Sequence, residues 1–178
     1  MAKINGVEIK ALKTFRGHEG EAAQGNVYVD GKKVGFWSQD AWGGPDTFEG
    51  CEELVRERAE IFKEGCDKNS IYYDFQSDPE VFMGHLLKLV DDEKEFKKAK
   101  KKGYGTLLLV SDGFHINGLM IKGEHGIEEI KIRYADSINK MKSSMFKNSY
   151  IRIVSYSSEN DFNLTVDKKH LAPEWVNR

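Results

Sequence analysis

Apolar and polar positions alternate through the first third of the chain, and this period of two predicts strands. Val27 and Val29 lie on one side of Asp30-Gly31, and residues 34–37, ending in Trp37, lie on the other. An Asp-Gly dipeptide accepts the positive φ that both central positions of a type I′ turn require, so a β-hairpin is predicted here. An earlier strand is predicted over 7–15, with Gly17-His18-Glu19-Gly20 as a glycine-bounded loop after it. Residues 38–46 read as a second loop, rich in glycine and holding Pro45 near its end.

From Phe48 the period lengthens. Phe48, Cys51, Leu54, Val55, Ala59 and Phe62 recur at helical spacing as far as Gly65, with Asp46 as the expected N-cap and Glu49 three residues beyond it. A short strand is predicted over 71–75. Ser77-Asp78-Pro79-Glu80 then reads as a capping box with proline in the first turn, opening a helix whose inner face includes Phe82, Leu86, Leu89 and Val90. That helix either continues past Asp91-Asp92 or breaks there before residues 94–102, and Gly103 supplies an αL stop.

Strands return over 106–110, 115–122 and 129–134. A short helix follows over 135–146, carrying Ile138, Met141 and Met145, and a last hairpin pairs 150–155 with 162–166. The expected fold class is α+β, a single domain over 1–178 with a mainly antiparallel sheet and two to three helices. A chain of 178 residues suits one domain, since domains cluster near 100–150 residues and bury about 70% of their unfolded surface at this size.

Composition narrows the class further. Hydrophobic residues make up 39% and charged residues 31%, too many core formers for a disordered chain. The longest apolar runs fall far short of the ~20 residues that cross a bilayer, and no signal-like apolar segment opens the chain, so a cytoplasmic protein without membrane contact is expected. Cys51 and Cys66 are fifteen positions apart, which fits neither a redox pair nor a zinc pair, and two buried or half-buried thiols are expected. No cofactor motif is present.

Net charge is only −2, yet its placement is uneven. Residues 94–152 carry 13 Lys and Arg against 6 Asp and Glu, while residues 40–93 carry 15 acids against 5 bases. Lys97, Lys98, Lys100, Lys101 and Lys102 fall within six positions at a helix end, a local positive potential able to attract a polyanion. Lys131, Arg133, Lys140, Lys142, Lys147 and Arg152 would extend that patch if the fold placed them beside it. Glu52, Glu53, Glu57, Glu60 and Glu64 project along the preceding helix at spacings that could imitate a row of phosphates. Against each stands the plain alternative of a solvated helix face.

Catalytic signatures are sparse. No Gly-x-Ser-x-Gly elbow occurs, and His18-Glu19 lacks the second histidine of a zinc-binding His-Glu-x-x-His. Trp42-Gly43-Gly44-Pro45-Asp46 leads into a helix as a phosphate loop does, but it has no lysine, and Asp46, Glu49, Glu52 and Glu53 would repel an anion. Trp42 and Asp46 are therefore candidate contact residues of a loop, with no catalytic or metal-binding residue assigned. A histidine-carboxylate enzyme would draw on His18, Asp40 and Asp46.

The stretch Lys13-Thr14-Phe15-Arg16-Gly17-His18-Glu19-Gly20, continuing through Gln24-Gly25-Asn26-Val27-Tyr28-Val29-Asp30-Gly31-Lys32-Lys33 and Phe36-Trp37-Ser38-Gln39-Asp40 to Gly44-Pro45-Asp46, resembles small proteins carried by phages and mobile elements of Gram-positive bacteria. Proteins of that kind include the type II anti-CRISPR inhibitors of Cas9. The resemblance implies a non-enzymatic binding protein acting on a nucleic-acid machine, with Cas9 and its guide RNA as the partner. The alternatives are direct nucleic-acid binding through the lysine-rich helix end and a small histidine-carboxylate enzyme.

Overall fold

A computed structural model describes residues 1–16, 20–65, 78–112, 115–145 and 151–165, and the backbone of 174–177. The chain is an α+β fold of two compact units: Met1–Val90 with Asn163–Asp167, and Asp91–Phe162 with Lys168–Arg178.

The first unit is organised by a six-stranded sheet. β1 (Lys3–Ile4) turns into β2 (Val7–Arg16) through Asn5-Gly6, where φ is 46° and 83°. β3 (Glu21–Val29) and β4 (Lys32–Gln39) meet at the predicted Asp30-Gly31 turn, with Val29 opposite Lys32 and φ of 49° and 82°. Both turns place positive φ at two successive residues, as the right-handed twist of a tight hairpin demands.

β2 carries an irregularity between Lys10 and Lys13, which face Asn26 and Gln24. One extra residue sits on β2 there, with Ala11 at φ 52°. Such a bulge re-aims the strand. Before it Val7, Glu8 and Ile9 are buried, and beyond it residues 13–16 are exposed.

β5 (Thr47–Glu49) pairs with β4 where a helix cap was expected, and α1 (Glu52–Gly65) starts later than predicted. The reason lies in Asp46, whose Oδ2 accepts the indole N–H of buried Trp37 at 2.8 Å and so does not turn toward the helix. Gly50, at φ 75°, bends the chain between β5 and α1. Gly35 admits the following turn, because a Cβ there would overlap Glu49 O and the Cys51 side chain. Val55, Ala59 and Phe62 form the buried stripe of α1, as the helical period predicts.

α2 (Pro79–Lys101) runs unbroken through Asp91-Asp92. Asp78 caps it, accepting from Glu80 N–H at 2.8 Å through its side chain, while its carbonyl takes Phe82 N–H. The helix ends at Gly103, φ 83°, with Tyr104 N–H bonded to Ala99 O and Gly103 N–H to Lys100 O. These two bonds make a Schellman cap, the stop predicted at that glycine.

The second unit holds a sheet in the order β10-β8-β6-β7, formed by β6 (Thr106–Ser111), β7 (Ile116–Ile121), β8 (Ile151–Tyr156) and β10 (Glu174–Asn177), all antiparallel. α3 (Ile127–Arg133) and α4 (Ala135–Ser143) cover the face that carries Leu108, Val110, Ile121 and Ile153, burying Ile130 and Ile138 against it. The opposite face presents Leu107, Leu109, Arg152, Val154 and Tyr156, reached by Asp92 of α2.

Two expectations are corrected here. The strand expected over 129–134 is instead the end of α3, with Tyr134 as its C-cap: alternation of Ile130, Ile132 and Tyr134 suggested a strand, but Ile132 is 83% exposed while Ile130 is buried. Lys131–Glu128 and Arg133–Glu129 ion pairs at helical spacing support the turn instead. The C-terminal hairpin does not form either. β8 pairs with β6 and β10, Phe162 closes a 3-10 turn, and β9 (Asn163–Leu164) joins β1 in parallel in the other sheet. Four α-helices are present among the described residues, against two to three expected. The strand expected at 71–75, the loop at 17–19 and Cys66 lie outside the described residues.

Candidate functional site

The strongest polar feature of the first unit is the outer face of α1. Glu52, Glu53, Glu57, Glu60 and Glu64 are all exposed. Glu52 accepts from Arg56 one turn on, at 2.8 Å, so its charge is compensated locally. At 3.6 residues per turn, Glu53, Glu57, Glu60 and Glu64 fall within a sector of about 60°, spread over ~16 Å of axis. Among the described residues, no cation stands within ion-pair distance of these four.

That arrangement follows from local constraints. The buried stripe of Val55, Ala59 and Phe62 fixes the rotation of the helix and turns the glutamates to water. Arg58, on the same helix, binds Asp30 at 2.8 Å and leaves the row uncompensated.

Beside the first turn of α1 is a shallow depression of about 520 Å3, lined in part by Phe48, Cys51, Glu53, Leu54 and Glu57. The Cys51 thiol is buried and donates weakly to Phe36 O at 3.5 Å. Burial, then the Glu52 and Glu49 carboxylates, push its pKa upward, so it is a structural thiol with little nucleophilic character.

The loop residues Trp42 and Asp46 part company. Trp42 is 65% exposed, and its backbone N–H donates to Asp40 Oδ1 at 2.9 Å. Asp46 is turned inward to Trp37, and its own N–H donates to Glu80 Oε1 at 3.2 Å. Burial raises the Asp46 pKa most. Glu80, Asp78 and Asp40 raise it further, and the Trp37 bond works the other way. His18, the third member of the histidine-carboxylate candidate, lies outside the described residues.

The lysine run of the second unit is different in kind. Lys97 binds buried Glu93 at 2.7 Å, Lys98 binds Glu95 at 2.6 Å and Lys100 reaches Glu124 at 3.5 Å. Lys101 and Lys102 are exposed past the last of these pairs. Lys131 and Arg133, expected to enlarge the patch, are matched by Glu128 and Glu129.

Arg152 is not a surface residue at all. It is 8% exposed, donating from Nη1 to Asp92 Oδ2 at 3.0 Å and from Nη2 to Tyr156 Oη at 3.0 Å, while Tyr156 O–H donates to the same Asp92 oxygen at 2.7 Å. This closed triangle satisfies a buried charge with a charge and two hydroxyl bonds, as burial requires.

Two histidine-carboxylate pairs also emerge that residue types alone did not reveal. His115 Nδ1 lies 3.2 Å from Oδ2 of Asp112, a carboxylate shut off from solvent. His125 Nδ1 lies 2.9 Å from Glu129 Oε1. Their spacings of three and four residues were legible signals once a turn and a helix were in place. No group of three or more His, Cys, Asp or Glu converges as metal donors would among the described residues.

No protein-family model, curated protein or solved structure matches the chain.

Proposed function

We propose that the chain is a non-enzymatic binding protein that acts on a nucleic-acid machine by offering the glutamate row of α1 to a cationic surface built for a nucleic-acid backbone. The observation that carries this reading is the row itself: four exposed carboxylates on one narrow sector of a rigid helix, with no compensating cation at ion-pair distance among the described residues. Complementary potentials of this kind speed encounter and select partners. The N-terminal resemblance directs the choice of partner to guide-loaded Cas9, with the chain as an anti-CRISPR inhibitor.

The lysine run is a weaker basis for direct nucleic-acid binding. A lysine already held by a carboxylate must give up that pair before it can neutralise a phosphate, and Lys97, Lys98 and Lys100 are so held.

The test is a DNA-cleavage assay with several guide-loaded Cas9 orthologues, read together with co-migration on a sizing column. Inhibition and co-migration with at least one orthologue are expected, both falling about tenfold or more when Glu53, Glu57, Glu60 and Glu64 become Gln together. Unchanged cleavage and no co-migration across the orthologues overturn the Cas9 assignment. A lysate pull-down that recovers partners only without nuclease would replace it with nucleic-acid binding.

A further inference from the structure

His125 sits in the bend between β7 and α3, and both of its ring nitrogens face oxygen atoms. Nε2 is 2.8 Å from the carbonyl oxygen of Lys122, and Nδ1 is 2.9 Å from Glu129 Oε1. A carbonyl can only accept, and so can a carboxylate, so both nitrogens must carry protons for both bonds to exist. The neutral ring can serve one of the two partners. With its proton on Nε2 it would set a lone pair against the Glu129 carboxylate.

The backbone of His125 is fixed independently of this. Its N–H donates to Thr106 Oγ1 at 3.0 Å, and that hydroxyl donates to Gly123 O at 2.9 Å. Thr106 is fully buried. Gly126, the N-cap of α3, offers no side-chain bond to the first turn. The imidazole is thus the described side chain that reaches from the bend to the first turn of the helix.

We propose that His125 is a proton-operated clamp: as an imidazolium it ties the first turn of α3, through Glu129, to the end of the β6–β7 hairpin, and on losing its proton it releases that turn while its backbone stays anchored to Thr106.

The charged surroundings set the direction. On α3, Glu129 favours the imidazolium and Arg133, bound to the same Glu129 oxygen at 3.2 Å, opposes it. In the bend, the Lys122 carbonyl favours it, and Glu124 is engaged by Lys100 of α2. From the junction of α3 and α4, the Tyr134 ring stands edge-on at 6.3 Å between centroids. The Glu129 bond, then the Lys122 bond, raise the His125 pKa above its ordinary 6.5, and His125 in turn lowers that of Glu129.

A raised histidine pKa contributes stability that is complete below 6.5 and is lost as pH climbs through the folded value. A lowered Glu129 contributes above its ordinary 4.5 and is lost as pH falls through its folded value. The clamp is therefore closed between the folded Glu129 value, below 4.5, and the folded His125 value, above 6.5, and opens as pH climbs through the latter.

The experiment is an imidazole ¹⁵N titration of the whole chain, with amide-exchange protection factors for Ile130 to Tyr134 corrected for intrinsic rates and referred to β6. Expected are a His125 pKa above 6.5 and α3 protection that drops about twofold to fivefold as pH passes it. In Glu129→Gln the titration should move down toward the ordinary value, with the Lys122 bond left to hold it up, and the pH dependence of protection should vanish. Thr106→Ser, which keeps the hydroxyl, should leave both intact. A His125 that titrates at or below 6.5, α3 protection equal on both sides of the titration, or a Glu129→Gln protein indistinguishable from the parent would each overturn the clamp.

Discussion

Two helical segments of similar length and opposite sign, α1 in the first unit and the second half of α2 in the second, show how little a count of charges says about a surface. In α1 the acids stand one turn apart on a single stripe, and the nearby arginines are drawn elsewhere, Arg56 to Glu52 and Arg58 to Asp30. In the second half of α2 three lysines stand three or four residues after a carboxylate, Lys94 after Asp91, Lys97 after Glu93 and Lys98 after Glu95, and Lys100 reaches Glu124 beyond the helix. Opposite charges at those spacings neutralise each other on the same face. The first segment projects a field and the second largely consumes its own. By unit, the balance is 11 bases to 17 acids in the first and 16 to 12 in the second, but the second figure includes Arg152, which never meets solvent as a free charge.

The sharpest way to break this comparison is to remove that hidden charge. Arg152→Met leaves Asp92 buried without its cation, and urea unfolding should show a loss of about 3–5 kcal/mol. A change below about 1 kcal/mol would return Arg152 to the surface account.

Next in size is the Trp37–Asp46 bond. Asp46→Ala strands a buried indole N–H and should cost about 1–3 kcal/mol. Asp46→Asn keeps an acceptor for Trp37 and removes the repulsion from Glu80, Asp78 and Asp40, so it should match or exceed the parent at pH 7. Because the Asp46 pKa is raised, its carboxylate weakens the fold as pH rises through the folded value. The gap between parent and Asp46→Asn should therefore close in acid, which unfolding curves at two pH values will decide.

Smaller still for the fold is neutralising the α1 row. Gln at Glu53, Glu57, Glu60 and Glu64 should leave the midpoint of thermal unfolding almost unmoved, because their carboxylates make no ion pair or hydrogen bond among the described residues, while partner binding falls. A large drop in that midpoint would mean the row is structural.

The smallest effect is expected from Lys97, Lys98 and Lys100 changed together to Gln. Any mobility shift with DNA or RNA at low salt should change little, and its slope against salt should alter by less than three charges' worth. A full three-charge change in slope would restore the lysine run as a nucleic-acid surface.

What was legible in sequence was what short-range geometry decides. Asp30-Gly31 made its turn because only two adjacent residues must accept positive φ. The stripe of Val55, Ala59 and Phe62 made α1 and thereby aimed the glutamates outward. Gly103 ended α2 because the cap is satisfied by carbonyls within one turn. The Asn5-Gly6 turn carried the same signal as Asp30-Gly31 but stood beside a strand of two residues, too short for a period to show.

What only the tertiary structure decided depended on partners far along the chain. Residues 129–134 fit a strand or a helix by pattern, and burial of Ile130 against Leu108, Val110 and Ile153 selected the helix. Asp46 was an ordinary cap until Trp37 claimed it. β9 could have paired with β8, and β1 took it instead. The meaning of Arg152 rested on Asp92, sixty residues earlier. Local sequence sets which conformations a segment can adopt and where its side chains point, whereas burial and pairing energies depend on groups that only the folded chain brings together.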